Sequence, residues 1–187
     1  MWAWLIERTG LAQIWQAFCE RRLPELRGPA AWLYTLGSAT LFVWLIQVVT
    51  GILLAMNYVP SPDHAYDSAR YITEQVLFGR VVRGAHHWGA SVMVILVILH
   101  LLRVYFMGAY KYPREVTWMT GVLLFLLVLA FGFTGYLLPW DQKAYWATAV
   151  GTNLIGQMPG IGPMLTTLLR GGQDMGAAAL TRFYAIH

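Results

Sequence analysis

Charged residues are scarce in this sequence. Asp, Glu, Lys and Arg make up 12% of its 187 residues, whereas hydrophobic residues make up 58%. A soluble domain carries about twice that share of charge, so the composition excludes an ordinary soluble domain and predicts an integral membrane protein. The formal net charge of +4 does not indicate nucleic acid as a partner, because so much of the chain is expected to lie in lipid.

Cysteine is almost absent as well. Cys19 is the single cysteine, which excludes an internal disulfide and a CxxCH motif for covalent haem attachment. We expect no cleaved signal peptide, because the first apolar run already contains Glu7 and Arg8. The length predicts one domain, residues 1–187, in which a few packed helices use up the chain.

Long apolar segments predict three membrane-spanning helices, at residues 32–57, 84–106 and 116–138. Residues 1–29 mix tryptophans with charged residues, which is typical of a helix lying in the membrane interface. Residues 59–78 form a polar connector between the first two spans. Polar residues and glycines interrupt residues 140–182 too often for a membrane-spanning helix. We expect a surface segment with one short amphipathic helix there. The predicted fold is an all-α integral membrane protein with surface amphipathic helices.

The second span carries a histidine near each end, His86 and His100. Ionisable groups inside a membrane are costly and are by default functional candidates. Their fourteen-residue separation puts both rings on one face of a helix, about 20 Å apart along its axis. Such spacing suits two stacked metal cofactors rather than one shared ion. Arg83 lies three residues before His86, and Arg103 lies three residues after His100; both arginines suit haem propionates. A single histidine within a membrane span is, however, about as often a packing residue as a ligand.

Glycines repeat the histidine interval in the two other spans. Gly37 and Gly51 lie fourteen residues apart in the first span, and Gly121 and Gly135 do so in the third. Glycine in a span marks close approach of another helix or of a ligand. Helix packing alone would explain any one of them, but the shared interval favours contact with two flat macrocycles.

The third span ends in an aromatic corner, GFTGYLLPWDQKAYW. Pro139 stops the helix there, and Trp140, Tyr145 and Trp146 follow at the predicted membrane surface. An aromatic-lined corner with a few polar groups suits a flat ring-bearing ligand such as a quinone. An ordinary aromatic belt at the membrane interface explains these residues about as well.

Together these features resemble the N-terminal half of the cytochrome b/b6 family, the membrane core of quinol:cytochrome c and quinol:plastocyanin oxidoreductases. The resemblance is most like the split, b6-type form. It rests on the glycine pair Gly37/Gly51 and on these motifs in this order: RGAHHW, LHLLR, YKYPRE with Trp118, GFTGYLLPWDQ, IGPMLTTLLRGG and TRFYAIH.

The resemblance implies a transmembrane bundle that binds two noncovalent b haems. His86 and His187 would ligate the low-potential haem on the outer, electropositive side, and His100 the high-potential haem on the cytoplasmic side. Further haem- or quinone-binding positions implied are Gly37, Gly51, Gly121, Gly135, Arg83, Arg103, Lys111, Arg114 and Trp118. The wall of an outer quinol-oxidation pocket would comprise Phe133, Tyr136, Pro139, Trp140 and Gln142.

The implied function is that of a di-haem cytochrome b subunit, inactive alone, in a proton-translocating complex. It would pass electrons from an outer quinol-oxidation site through two haems to an inner quinone site. Implied partners are a Rieske iron–sulfur protein, a c-type cytochrome, the subunit carrying the C-terminal half of cytochrome b, and a second copy of the complex. The implied location is a bacterial inner membrane or an equivalent energy-transducing membrane. The count of Lys and Arg residues, seven on the N-terminal side against six on the other, favours an N-terminus in the cytoplasm, but a difference of one does not decide the orientation.

The sequence departs from the family pattern in two respects. Some relatives have a cysteine after Tyr34 that holds an extra covalent haem; here Thr35 occupies that position, so no covalent haem is expected. The family also has a fourth span, which supplies the partner of His100. That span is missing from this sequence, and we expect the natural polypeptide to continue beyond His187.

Two other classes of function are compatible with the sequence. One is a haem-b membrane anchor that relays electrons between quinone and a soluble dehydrogenase or hydrogenase. The other is a haem-free helical scaffold, which would leave costly histidines without ligands in lipid. The PWDQ corner and the long surface segment after it favour the quinol oxidoreductase, since a simple relay needs neither.

Overall fold

The computed structural model describes residues 29–187, and within this range every regular element is a helix. A 3-10 helix, Pro29–Thr35, belongs to a separate compact unit from Leu36–His187. The α-helices in chain order are α1 Leu36–Ala55, α2 Ala65–Glu74, α3 Gly79–Phe106, α4 Glu115–Leu137, α5 Gln142–Gly156, α6 Gly162–Arg170 and α7 Ala177–Ile186. The all-α prediction is confirmed, and the predicted interfacial helix at residues 1–29 lies, apart from Pro29, outside the described residues.

Three helices are long and apolar enough to cross a membrane, at Ala31–Ala55, Gly79–Phe106 and Glu115–Leu137. At most 6% of the most apolar stretch of each is buried inside the chain. Leucine, isoleucine and phenylalanine side chains therefore face outward along most of their length, as expected where lipid or partner subunits replace water.

Helices α1 and α3 pack against each other through small residues. An added Cβ at Gly89 of α3 would meet the side-chain amide of Gln47 in α1. Gly37 and Gly51 in α1 give room in the same way to side chains of α3. Because the hydrophobic effect does not drive helices together in lipid, close backbone approach at glycine is the main source of contact.

The surface helices gather near the end of α4. Leu137, Leu180 and Phe183 are fully buried in a cluster that joins α4 to α7, and Ala65 of α2 belongs to it. Tyr58 is packed against this cluster, and its hydroxyl donates a 2.5 Å hydrogen bond to the carbonyl of Leu138. Burial and the neighbouring Tyr184 raise the pKa of the Tyr58 phenol, so the group remains a hydrogen-bond donor.

A buried arginine fixes α6 to α5. Arg170 is 9% exposed. Its guanidinium donates to the hydroxyl of Thr152 at 2.6 and 2.8 Å, to Oδ1 of Asn153 at 2.7 Å, and to the carbonyls of Ala149 and Gln173 at 3.0 and 3.2 Å. Neutral oxygens therefore solvate the charge, and removing the side chain would leave several of them buried without a donor.

Two segments are more helical than the sequence predicts. The polar connector at residues 59–78 contains α2, and the surface segment at residues 140–182 contains α5 besides the predicted amphipathic helix, while α7 runs past residue 182. Ala144, Thr148 and Thr152 form the buried face of α5. Their side chains are too small and polar to produce an apolar helical pattern, which is why the sequence did not predict the helix.

Candidate functional site

Helix α3 carries both candidate ligands on one face. His86 and His100 lie within the single uninterrupted helix Gly79–Phe106, so their axial separation is about 21 Å at 1.5 Å per residue. Each half-buried ring points at a glycine of α1: a Cβ added to Gly51 would lie 3.3 Å from Cε1 of His86, and one added to Gly37 would lie 3.2 Å from Cε1 of His100. The structure therefore places the two predicted sites at two depths of the bundle.

The surroundings of His86, here called the outer site after its predicted side of the membrane, contain a second imidazole. The ring of His187, which follows the last turn of α7, has its centroid 6.0 Å from that of His86, with an angle of 79° between the ring planes. It lies against Gly135 of α4, whose added Cβ would collide with Cε1 of His187. His86 and His187, which are far apart in the chain, thus lie close together, with Gly51 beside one ring and Gly135 beside the other.

A threonine hydroxyl lies beside each of the two histidine rings of the outer site. Oγ1 of Thr50 is 2.9 Å from Nδ1 of His86, and Oγ1 of Thr134 is 3.3 Å from Nδ1 of His187. Nδ1 of His187 also lies 3.0 Å from the carbonyl of Phe131. Burial lowers the pKa of the His187 imidazole, against a smaller rise from the Phe131 carbonyl, and so favours the neutral form that binds metals.

The donor set of the outer site fits a haem. Imidazole nitrogens bind metals at about 2 Å, so a metal held between two rings sets their centroids roughly 6 Å apart; the observed value is 6.0 Å. The described residues hold no group of three or more His, Cys, Asp or Glu that could bind a metal. Two protein ligands alone are too few for zinc, whereas a haem iron with its four porphyrin nitrogens needs one or two.

The predicted propionate partner of this site lies nearby in the chain. Arg83 is half-buried one turn before His86, and its Nη1 donates to the hydroxyl of Thr73 in α2 at 3.0 Å. No carboxylate is recorded within bonding distance of this guanidinium in the described part of the chain, so its charge is available to a carboxylate ligand.

The surroundings of His100, here called the inner site after its predicted side of the membrane, contain one histidine among the described residues. Nδ1 of His100 is buried and makes no hydrogen bond with the residues that the structure describes. Gly121 of α4, the inner counterpart of Gly135, faces Cδ2 of Leu101 at 4.0 Å from an added Cβ, not an imidazole. Arg103 lies half-buried on the next turn. Within residues 29–187, no second histidine approaches His100.

The other inner-side residues lie in and after the turn that joins α3 to α4. Lys111 and Arg114 are exposed. Trp118 is half-buried, with its ring 5.7 Å from that of Tyr110. Both cations thus lie beyond the end of α3 that carries His100.

The predicted quinol wall surrounds the end of α4. Tyr136 and Gln142 are exposed, and Pro139 and Trp140 are half-buried. Trp140 has a φ of 51°, a left-handed conformation that turns the chain sharply between α4 and α5. Phe133 differs from the rest, because its ring packs 5.7 Å from that of Phe183 and against Gly151. The Phe133 ring therefore packs behind the aromatic corner after α4 and does not form part of its open surface.

The sequence reasoning missed Thr50 and Thr134. Each is followed directly by the glycine that faces the same histidine, in the segments VVTG and GFTG. This repeated Thr–Gly dipeptide in the two flanking spans is the signal that could have identified them. Thr50 is the one buried residue of α1, and Thr134 is 4% exposed.

Comparison with known proteins gives consistent matches. The family model described as cytochrome b/b6/petB matches residues 27–187. The chain is 48% identical over 189 residues to the menaquinol:cytochrome c reductase cytochrome b subunit of Bacillus subtilis (strain 168), covering 98% of this chain and 84% of that protein. It is 41% identical over 185 residues to cytochrome b6 of Heliobacterium mobile, covering 98% and 86%. A solved chain described as hyperthermophilic respiratory Complex III superposes with a TM-score of 0.82 at 29% identity. That match covers 99% of this chain and 49% of the solved chain, so the present chain spans about half of its length.

Proposed function

The chain belongs to the cytochrome b/b6 family, and from that premise we propose that it is a di-haem electron-transfer subunit of a bc- or b6f-type quinol oxidoreductase. In this role the chain carries electrons across the membrane, from an outer quinol-oxidation pocket to an inner quinone site, coupled to proton translocation. The observation that carries the proposal is the facing pair His86 and His187, 6.0 Å apart between centroids.

The residues of the outer site have distinct tasks. His86 and His187 would hold a b haem by their Nε2 atoms, while Gly51 and Gly135 leave room for rings that a side chain would displace. A haem there supplies reversible one-electron chemistry between ferric and ferrous iron. The apolar helices exclude water from this region, and the guanidinium of Arg83 balances propionate charge at the membrane surface.

His100 holds the second haem in this proposal, with Gly37 and Gly121 on either side. Its second ligand comes from outside the described residues. Arg103, Lys111 and Arg114 provide positive charge for propionates or for a quinone at the inner surface. Thr35 offers no thiol for a covalent haem, and both haems of the proposal are noncovalent.

The quinol pocket of the proposal lies at the corner after α4. Tyr136, Pro139, Trp140 and Gln142 line it, and Phe133 supports it from behind. The partners proposed are a Rieske iron–sulfur protein and a c-type cytochrome, together with the C-terminal half of cytochrome b. The complex is proposed to be dimeric, in a bacterial inner or equivalent energy-transducing membrane, with the N-terminus in the cytoplasm.

Adjacent histidines give a test with a matched control. His86→Ala removes the proposed ligand, whereas His87→Ala removes an exposed imidazole that contacts Trp88 at 5.7 Å between centroids. We expect the purified complex to show quinol-reducible b-haem absorbance. This absorbance should fall by about half in the His86→Ala complex and remain unchanged in the His87→Ala complex.

Two results would contradict the proposal. One is an unmodified complex without b-haem absorbance, which would leave a structural scaffold as the function. The other is co-purification with a soluble dehydrogenase or hydrogenase and no Rieske protein, which would make the chain a membrane anchor.

A further inference from the structure

The two imidazoles of the outer site share a feature that haem ligation alone does not require. Each directs Nδ1 at a threonine hydroxyl, at 2.9 Å for Thr50 and 3.3 Å for Thr134. The two threonines come from different helices, α1 and α4, and both of these helices contact α3. Both hydroxyls are buried, since Thr50 is 9% and Thr134 4% exposed.

The direction of these hydrogen bonds follows from the other partners of the hydroxyls. Oγ1 of Thr50 lies 2.6 Å from the carbonyl of Ile46, and Oγ1 of Thr134 lies 3.0 Å from the carbonyl of Ala130. A carbonyl can only accept, so each hydroxyl hydrogen points at its own helix. The hydroxyl oxygen is then left with lone pairs for an imidazole N–H.

An imidazole that donates from Nδ1 has Nε2 free as a ligand. A hydrogen bond from the second ring nitrogen fixes the tautomer and the orientation of a metal-bound histidine and makes it a stronger base. A more basic ligand stabilises ferric over ferrous iron and so lowers the reduction potential. The hydroxyl passes this hydrogen bond on to a backbone carbonyl, which is itself fixed by the helix.

The two threonines are not equivalent. Each ring has a backbone carbonyl beside it, that of Phe131 at 3.0 Å from Nδ1 of His187 and that of Gln47 near His86. The threonine contact of His86 is the closer one, at 2.9 Å against 3.3 Å for His187. Loss of the Thr50 hydroxyl should therefore affect its ligand more than loss of the Thr134 hydroxyl. His100 has no such partner among the described residues, which makes the effect specific to the outer site.

We propose that Thr50 is a positioning residue that orients His86 and lowers the reduction potential of the outer haem, with Thr134 acting more weakly on His187. This rests on the proposed haem ligation by the same histidines and adds to it two residues that do not touch the iron. The chemistry requires only the threonine oxygen, so serine should replace threonine and valine should not.

The test is a redox titration of the purified complex with variants at three threonines. Thr50→Val removes the hydroxyl and keeps the branched shape, and Thr50→Ser keeps the hydroxyl. Thr181→Val is the control, because its exposed hydroxyl also bonds to its own helix, donating to the carbonyl of Ala177 at 3.0 Å, and Thr181 belongs to neither proposed haem site. Haem content and the low-spin electron paramagnetic resonance signals are measured together with the midpoint potentials.

We expect Thr50→Val to shift the ferric–ferrous equilibrium of one haem toward the ferrous form by up to about tenfold, a rise of up to about 59 mV for one electron. Its paramagnetic resonance signal should shift as well. Thr134→Val should give a smaller rise of the same sign, and Thr50→Ser and Thr181→Val should leave both potentials unchanged.

Several results would overturn the proposal. A fully haem-loaded Thr50→Val complex with unchanged potentials and resonance signals would show that the hydroxyl has no influence on the ligand. If Thr50→Val loses the outer haem, Thr50→Ser decides: retention of haem and potential supports the proposal, and loss in both variants shows a packing role instead. Absence of b haem from the unmodified complex would defeat the proposed function itself, a result that no threonine variant can mimic.

Discussion

Replacement of Gly135 by alanine is the strongest perturbation of the outer site that a single methyl group can make. The new Cβ would collide with Cε1 of His187 and lie 3.0 Å from both ring nitrogens. The ring would have to tilt or withdraw, and in doing so it would lose its alignment with the hydroxyl of Thr134 and the carbonyl of Phe131.

The magnitude follows from these contacts. Overpacking costs about 1–3 kcal/mol, and each hydrogen bond lost costs about 1 kcal/mol. A total of about 3–5 kcal/mol corresponds to a haem affinity lower by roughly two to four orders of magnitude. The helix itself should not suffer, because alanine is a better helix former than glycine by about 1 kcal/mol.

Gly132→Ala is the matched control, since it lies three residues away on the same helix and its added Cβ would meet nothing within 4 Å. Haem-to-protein ratios and midpoint potentials of the purified complexes give the comparison. We expect Gly135→Ala to lose the outer haem and Gly132→Ala to retain it. If both variants kept full haem content and the same potentials, His187 could not be a ligand in the position that the structure gives it.

Two further predictions concern the inner site and the surface helices. His100→Ala should remove one b haem and leave the outer haem titrating near its original potential, because about 21 Å of helix separates the two positions; loss of both from a folded complex would contradict two separate sites. Arg170→Met should destabilise the packing of α5 on α6 by about 2–4 kcal/mol, since it leaves the Thr152 hydroxyl and nearby carbonyls buried without their donor. The effect is measured as the rate of proteolysis in this segment, which should be faster in the Arg170→Met complex than in a Lys143→Met control, where an exposed lysine is replaced. Equal rates would show that the buried guanidinium is not needed.

The spans were predictable because lipid imposes a simple rule on the sequence. A chain that crosses a bilayer as a helix needs about 20 consecutive apolar residues. The predicted spans agree with the three long apolar stretches, Ala31–Ala55, Gly79–Phe106 and Glu115–Leu137, to within two residues at most ends. The exception is the start of α3, which lies five residues before the predicted start, at Gly79. The start of this helix carries Arg80 and Arg83, and a helix can continue into the membrane interface without burying such side chains.

The surface helices were less predictable because their buried faces lack large apolar residues. In α2 the buried positions are Ala65, Ser68, Ala69 and Ile72, spaced as a helix requires but mostly small. Side chains of this size pack closely against a neighbour without giving the strong apolar pattern by which amphipathic helices are recognised. The threonines beside the histidines escaped notice for a related reason, since a hydroxyl bonded to its own helix resembles an ordinary membrane threonine.

Gly121 provides the last prediction. Three of the four predicted glycines, Gly37, Gly51 and Gly135, face an imidazole, but Gly121 faces only Leu101. Gly121 and Gly135 are fourteen residues apart, as are His86 and His100. In the outer site, His187 approaches His86 past Gly135. We therefore expect the second ligand of the inner haem to approach His100 past Gly121. Gly121→Val should then deplete the inner haem and spare the outer one, measured by separate redox titration of the two. Within the described chain, an added Cβ at Gly121 meets only Leu101 Cδ2, at an ordinary 4.0 Å; an inner haem that persists unaltered in Gly121→Val would mean that its second ligand approaches from another side of the bundle.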